Sequence, residues 1–140
     1  MSNFFSIFNT SGSALTAQSV RLNTVASNLA NSSVGAPTPE ETYQPKEVVF
    51  QTVLDRNNPE RADTPVRVAG IVDRPDEPII TYEPHHPQAN AEGYVFRPAV
   101  NVVQEMANMM SASRSFEANV EVMNTTRQLL QRTLQIGGQQ

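Results

Sequence analysis

The most regular hydrophobic pattern lies in the C-terminal part of the chain, within residues 99–140. Apolar residues recur there at alternating steps of four and three, with only Ser113 and Arg127 interrupting the series. This spacing predicts one apolar stripe along a helix and is typical of a coiled-coil seam. Pro98 precedes the helix and glycines at 137 and 138 end it. The candidate interface residues of this stripe are Val102, Met106, Met109, Phe116, Val120, Met123, Leu130 and Leu134.

The same helix carries a second apolar stripe, formed by Val122, Leu129 and Ile136 on another face. A helix with two apolar faces is expected to pack against more than one partner.

Residues 1–36 show a similar alternation of three and four steps, in which large and small residues follow each other. Large residues facing small ones suit close packing between helices. The run "NTSGS", residues 9–13, has poor helix propensity, so a break or a late helix start is an alternative there. The candidate interface residues of this segment are Phe5, Phe8, Leu15, Leu22, Ala26 and Leu29.

The stretch "RLNTVASNLANSSV", residues 21–34, has helical apolar spacing but only one charge, Arg21. A solvent-facing helix normally carries Glu, Lys and Arg, whereas Asn, Ser and Thr compete for backbone hydrogen bonds. An uncharged polar surface is expected on a helix that is surrounded by other helices, where buried charge is costly and Asn and Ser can bond across interfaces.

The middle of the chain, residues 37–98, holds all ten prolines. Three β-prone runs, around residues 48–53, 66–73 and 77–84, are separated by charged turns such as "DRNNPERADTP" at 55–65. They predict a small β-hairpin or a three-stranded patch, followed by a link into the last helix. The fold class predicted is mainly α: N- and C-terminal helices (1–36 and 99–140) paired as an antiparallel coiled coil, with a β-hairpin and loop extension between them. Two core helices of a small bundle are the alternative, but the middle offers no third helix.

Composition narrows the range of functions. The net charge of −4 argues against nucleic acid and against an anionic membrane as the main partner. The absence of cysteine excludes disulfides and thiolate zinc sites. No apolar run is long enough to span a membrane, and the N-terminus lacks the pattern of a cleavable signal. A cytosolic protein is expected, or one exported by a route that needs no such signal.

Candidate chemistry is sparse. His85 and His86 lie beside Glu83 and near Glu92, but adjacent side chains flanked by prolines rarely converge on one ion. Nothing places a nucleophile beside a base, and no glycine-rich phosphate loop is present. We therefore expect no catalytic residue, no metal site and no cofactor, and a small enzyme built around the two histidines is the least favoured hypothesis.

Two hypotheses remain open from the residues alone. One is a structural subunit that buries its terminal helices against copies of itself or against relatives. The other is a coiled-coil adaptor or chaperone-like binding module with a mobile acidic loop, which a stable monomer or dimer with protected helices would favour.

Four segments resemble the bacterial flagellar basal-body rod family: "GSALTAQSVRLNTVASNLANSSV", "YQPKEVVF", "HPQANAEGYV" and "NVVQEMANMMSASRSFEANVEVMNTTRQLLQRTLQIG". The resemblance covers both ends of the chain and the link into the last helix. Where the family often has "TPGYK" after "NLAN", this chain has "SSVGAPTPEETYQPK", which favours the proximal rod branch over the distal rod and hook branches.

The resemblance implies an axial structural subunit rather than an enzyme. Such subunits leave the cell through the flagellar type III export apparatus without a cleaved signal and assemble in the periplasm. The implied partners are copies of the chain, other rod subunits, the motor-ring/rod junction protein and distal rod proteins, in a helical oligomer. The implied tube carries torque and passes later subunits, with no nucleic acid and no direct membrane insertion. The lack of cysteine fits passage through an oxidising compartment.

Overall fold

The structure is a computed structural model that describes residues 2–53 and 64–137, with side chains described from residue 5 onward. Most of the charged turn predicted at 55–65 lies outside the described residues. The elements in chain order are α1 (Ser2–Asn31), β1 (Lys46–Thr52), β2 (Val66–Asp73), β3 (Ile79–Tyr82), β4 (Tyr94–Arg97) and α2 (Val102–Gly137). The two helices pack against each other, and β1 and β2 also contact α1. The predicted arrangement of two long terminal helices with a small β region between them is confirmed.

Helix α1 runs without a break through residues 9–13, despite their poor helix propensity. The Ser13 hydroxyl donates to the Thr10 carbonyl at 2.8 Å, and the Thr16 hydroxyl donates to the Gly12 carbonyl at 3.1 Å. Ser13 Oγ also accepts a hydrogen bond from the backbone N–H of Val66 at 3.1 Å. Packing on β2 and local bonds therefore outweigh a weak intrinsic preference, as tertiary context often does.

Among the described residues, seven uncharged polar side chains of the two helices donate to a carbonyl of their own helix four residues earlier. Thr24 donates to the Val20 carbonyl at 2.9 Å, and Thr126 donates to the Val122 carbonyl at 2.7 Å, while each threonine is only 6% exposed. Such bonds to the carbonyl four residues earlier satisfy a hydroxyl or amide without water or a second chain. The donors with this geometry are Thr16, Thr24, Asn31, Ser115, Asn119, Thr126 and Thr133.

The β region forms two separate antiparallel pairs, β1 with β2 and β3 with β4. A register shift between Val49 and Phe50 marks a bulge in the first pair. The hairpin prediction is confirmed, but the third β-prone run pairs with β4 instead of joining a three-stranded patch. Strand β4 lies in the segment that the sequence analysis took as a link, directly after a turn in which Gly93 has a φ of +87°.

The core is thin and centres on the junction between the end of α1 and β4. Val95 is fully buried, and Ala36 and Phe96 exchange backbone hydrogen bonds at 2.8 and 2.9 Å beside it. The other buried apolar residues in the described parts of the chain include the small side chains Ala17, Val25 and Ala112, together with Pro45 and Pro98. Small side chains bring backbones close together but bury little apolar area. Hydrogen bonds therefore position much of this fold.

Replacing Gly35 with alanine should destabilise the subunit. A Cβ at this position would lie 2.6 Å from Cγ1 of the fully buried Val95 and 3.3 Å from His86 Cε1. We expect a loss of about 1–3 kcal/mol in the free energy of unfolding, measured by denaturant unfolding of the purified subunit. Gly12→Ala is the matched control, because a Cβ built there meets no heavy atom within 4 Å beyond its chain neighbours and its own helix backbone, and alanine favours a helix. Equal effects of the two substitutions would contradict this close packing.

Candidate assembly interface

The covered face of α2 follows a seven-residue repeat of small or polar residues. Glu105, Ala112 and Thr126 are buried, with exposed fractions of 4%, 0% and 6%, and Asn119 is half-buried. Large apolar residues lie four positions after each of them and complete a four-three spacing. These half-buried residues are Met109, Phe116, Met123 and Leu130. We call this face, with both sets, the inner seam of α2.

The sequence-predicted stripe of α2 is divided by the structure. Its members Met109, Phe116, Met123 and Leu130 belong to the inner seam. Its other members, Val102, Met106, Val120 and Leu134, are 42%, 52%, 36% and 56% exposed. Met106, Val120 and Leu134 recur at multiples of seven residues, and Val102 lies one helical turn before Met106; we call these four the outer ridge. The second predicted stripe is also exposed, at Val122, Leu129 and Ile136.

In helix α1, too, the most deeply buried positions differ from those that the sequence predicted. Leu15, Leu22 and Leu29 are half-buried, as is Phe8, whereas Ala26 is exposed and Phe5 is 67% exposed. The positions that alternate with the three leucines at four-three spacing are Ser11, Gln18 and Val25. Ser11 and Val25 are each 6% exposed, so the polar and smaller residues are again the more deeply buried.

A different side of α1 is bonded to the start of β1. Asn28 is 1% exposed, and its Nδ2 donates to the Lys46 carbonyl at 2.8 Å. Its Oδ1 accepts from the Lys46 N–H at 2.8 Å and from the Tyr43 hydroxyl at 2.9 Å. The Tyr43 hydroxyl also lies 3.3 Å from Ser27 Oγ. The asparagine thus fixes the hairpin on α1, a role that helical spacing alone could not indicate.

A cavity of about 430 Å³ lies between α1, the start of β1 and the first turns of α2. Its lining includes Arg21 and Val25 from α1 and Glu105 and Asn108 from α2. The C-terminal half of α1 therefore lies beside the N-terminal turns of α2.

The two histidines occupy a turn before β4. His86 Nδ1 accepts from the Gln88 N–H at 3.1 Å, and the ring lies near Gly35. Within residues 2–53 and 64–137, no three His, Asp or Glu side chains are grouped so that they could hold a metal ion. Neither described helix combines the length and hydropathy that crossing a bilayer requires.

Comparison with protein families assigns both ends of the chain to one class. Residues 8–36 match the family "Flagella basal body rod protein", and residues 91–136 match "Flagellar basal body rod FlgEFG protein C-terminal". These ranges contain most of α1, strand β4 and nearly all of α2. Two long exposed helices joined by a β extension are thus the framework of a flagellar rod subunit.

Similarity to individual proteins extends over nearly the full length. The flagellar basal-body rod protein FlgC of Escherichia coli O6:H1 is 47% identical over 131 residues, covering 94% of this chain and 96% of the relative. FlgC of Yersinia enterocolitica is 45% identical, with 96% and 98% covered. FlgC of Bacillus subtilis is 38% identical, with 95% and 97% covered. The chain belongs to the FlgC family of flagellar basal-body rod proteins. It is a structural subunit of the proximal rod and not an enzyme.

Proposed function

We propose that this subunit polymerises with copies of itself and with other rod proteins through the outer ridge of α2, forming a helical tube. The observation that carries the proposal is the exposure of four aligned apolar residues, between 36% and 56%, on a helix whose inner seam is already covered. Exposed apolar side chains that recur along one helix face suit burial by a partner, and Ser113 and Arg127 lie between them on this face. In this arrangement the inner seam holds the subunit together and the outer ridge joins subunits.

Within the subunit, α1 and α2 pair as an antiparallel coiled coil. The four-three spacing of covered positions on both helices supports this pairing, as does the cavity that places Arg21 and Val25 beside Glu105. Residues 1–36 and 99–140 then form the helical core, and residues 37–98 form the extension that projects from it.

The assembled tube transmits torque and lets exported subunits pass through its lumen. Its neighbours are the motor-ring/rod junction protein on one side and distal rod proteins on the other. The subunit reaches the periplasm through the flagellar type III apparatus. Its family membership supports this route, and the absence of cysteine removes the risk of unwanted disulfides in an oxidising compartment.

Placing a charge on the outer ridge tests the proposal. Val120→Asp should leave the fold of the subunit intact, because this side chain is 36% exposed, but should prevent rod formation, because a neighbour would have to bury the carboxylate. We expect normal helix content by circular dichroism and a loss of basal-body yield and motility. Ala118→Asp adds the same charge at an exposed position off the ridge and should be tolerated. Full motility of a Met106→Asp/Val120→Asp double variant would refute the assignment.

A further inference from the structure

We infer that Arg21 and Glu105 form an ion pair across the two helices, and that this pair sets the register of α1 against α2. The inference begins with Glu105, which is only 4% exposed. Its Oε2 has no hydrogen-bond partner among the residues that the structure describes, although the residue lines the cavity between the helices. A buried carboxylate without a partner is costly, so a donor is required here.

The cavity lining contains three cations that could provide that donor: Arg21, Lys46 and Arg74. Lys46 Nζ donates to Asp73 at 2.7 Å, and this hydrogen bond and charge raise the pKa of Lys46 above its usual value. Arg74 Nε donates to the Asp76 carboxylate. Two of the three cations are therefore already paired with β2 or the turn that follows it.

Arg21 is the remaining cation. It is half-buried and makes no ion pair within residues 2–53 and 64–137. It is also the only charged residue in positions 1–39, so no other charge on α1 can compensate Glu105. An arginine is suited to the task, because its planar guanidinium binds a carboxylate through two parallel hydrogen bonds and stays charged at any physiological pH.

The position of the pair explains why it would define register. Covered positions near it include Thr24, Val25, Asn108 and Ala112, which are small or polar and interlock less than large apolar side chains do. A single buried polar contact in a helical seam penalises every register in which the two partners fail to meet. Both side chains line the 430 Å³ cavity, which is large enough to hold bridging water.

Charge exchange tests the pair in cells. Arg21→Glu and Glu105→Arg should each lower basal-body yield about tenfold, because each leaves like charges in the cavity, and the double exchange should restore yield to within about threefold of wild type. Arg114→Glu and Glu117→Arg reverse exposed charges on α2 and should have no comparable effect. A double exchange as defective as the single changes, or an equal defect in the surface controls, would overturn the inference.

A distance measurement on the purified full-length subunit separates register from simple stability. The chain has no cysteine, so Asn23→Cys and Ala107→Cys, both at exposed positions, can carry a pair of spin labels on the two helices. Glu105→Gln and Arg21→Gln should each broaden or shift the single distance distribution of the parent. The Arg21→Glu/Glu105→Arg double variant should keep the parent distribution. An unchanged distribution in both Gln variants would refute the register role. A change with Glu105→Gln alone would overturn the pairing with Arg21.

Discussion

Cells that carry Phe116→Asp should build no rod beyond the point where this subunit joins. Phe116 lies near the middle of the inner seam and is half-buried within the subunit. Aspartate would put an uncompensated charge between α1 and α2 and remove the apolar contact at the same time. Phe116→Ala removes only the contact and should cost about 2–3 kcal/mol of folding free energy, less than a fully buried phenylalanine, because the ring is partly exposed.

The measurement is basal-body yield and motility for both variants beside Glu117→Gln. Glu117 is the next residue on the helix and is exposed, so its loss of charge should be nearly neutral. Export of the variant subunits should continue, because no catalytic group is altered. Normal rods with Phe116→Asp would show that the inner seam does not hold the assembled subunit together.

Asn28→Ala should produce the second large effect. Its side chain supplies three part-buried hydrogen bonds, two of them to the backbone of Lys46, and alanine would leave the two Lys46 backbone groups without these partners. Unsatisfied buried groups cost about 1–3 kcal/mol each, so we expect a loss of about 3 kcal/mol or more in denaturant unfolding. Asn28→Asp keeps the acceptor oxygens but loses the donor to the Lys46 carbonyl and buries a charge, so it should not restore stability.

The matched control for Asn28 is Asn23→Ala on the same helix. Asn23 is exposed, and alanine has the higher helix propensity, so this change should stay within about 0.5 kcal/mol of wild type. If both alanine variants unfolded at the same denaturant concentration, the hydrogen bonds to the start of β1 would not be holding the hairpin on α1.

The sequence predicted the helices well because their apolar spacing persists for several turns. It also selected the large seam residues, such as Leu15, Leu22, Phe116 and Met123, which are half-buried in the structure. It did not find the more deeply buried positions between them, such as Glu105 and Thr126. A hydrophobic pattern cannot detect a threonine that is buried because it bonds to its own helix, or a glutamate placed beside a cavity.

Only part of the β region was predicted, because β4 also lacks a local sequence signal. β1 and β2 are rich in β-branched residues and could be recognised, whereas β4 has only four residues and follows a turn built on Gly93. In that turn, Asn90 Oδ1 accepts the N–H groups of Glu92 and Tyr94, at 3.0 and 2.9 Å. Pairing of so short a strand depends on contacts with residues that are distant in the chain, including the Ala36 bridge, and these leave no local signal.

The hydroxyls and amides that bond to their own helix carbonyls also affect how easily the subunit can move from water into a packed polymer. A charged side chain would have to shed a tightly held hydration shell at each new contact, whereas these groups bring their hydrogen bonds with them. The dehydration barrier to docking is correspondingly small where these groups lie. Less of the free energy gained from apolar contact between subunits is then offset by the desolvation of polar groups.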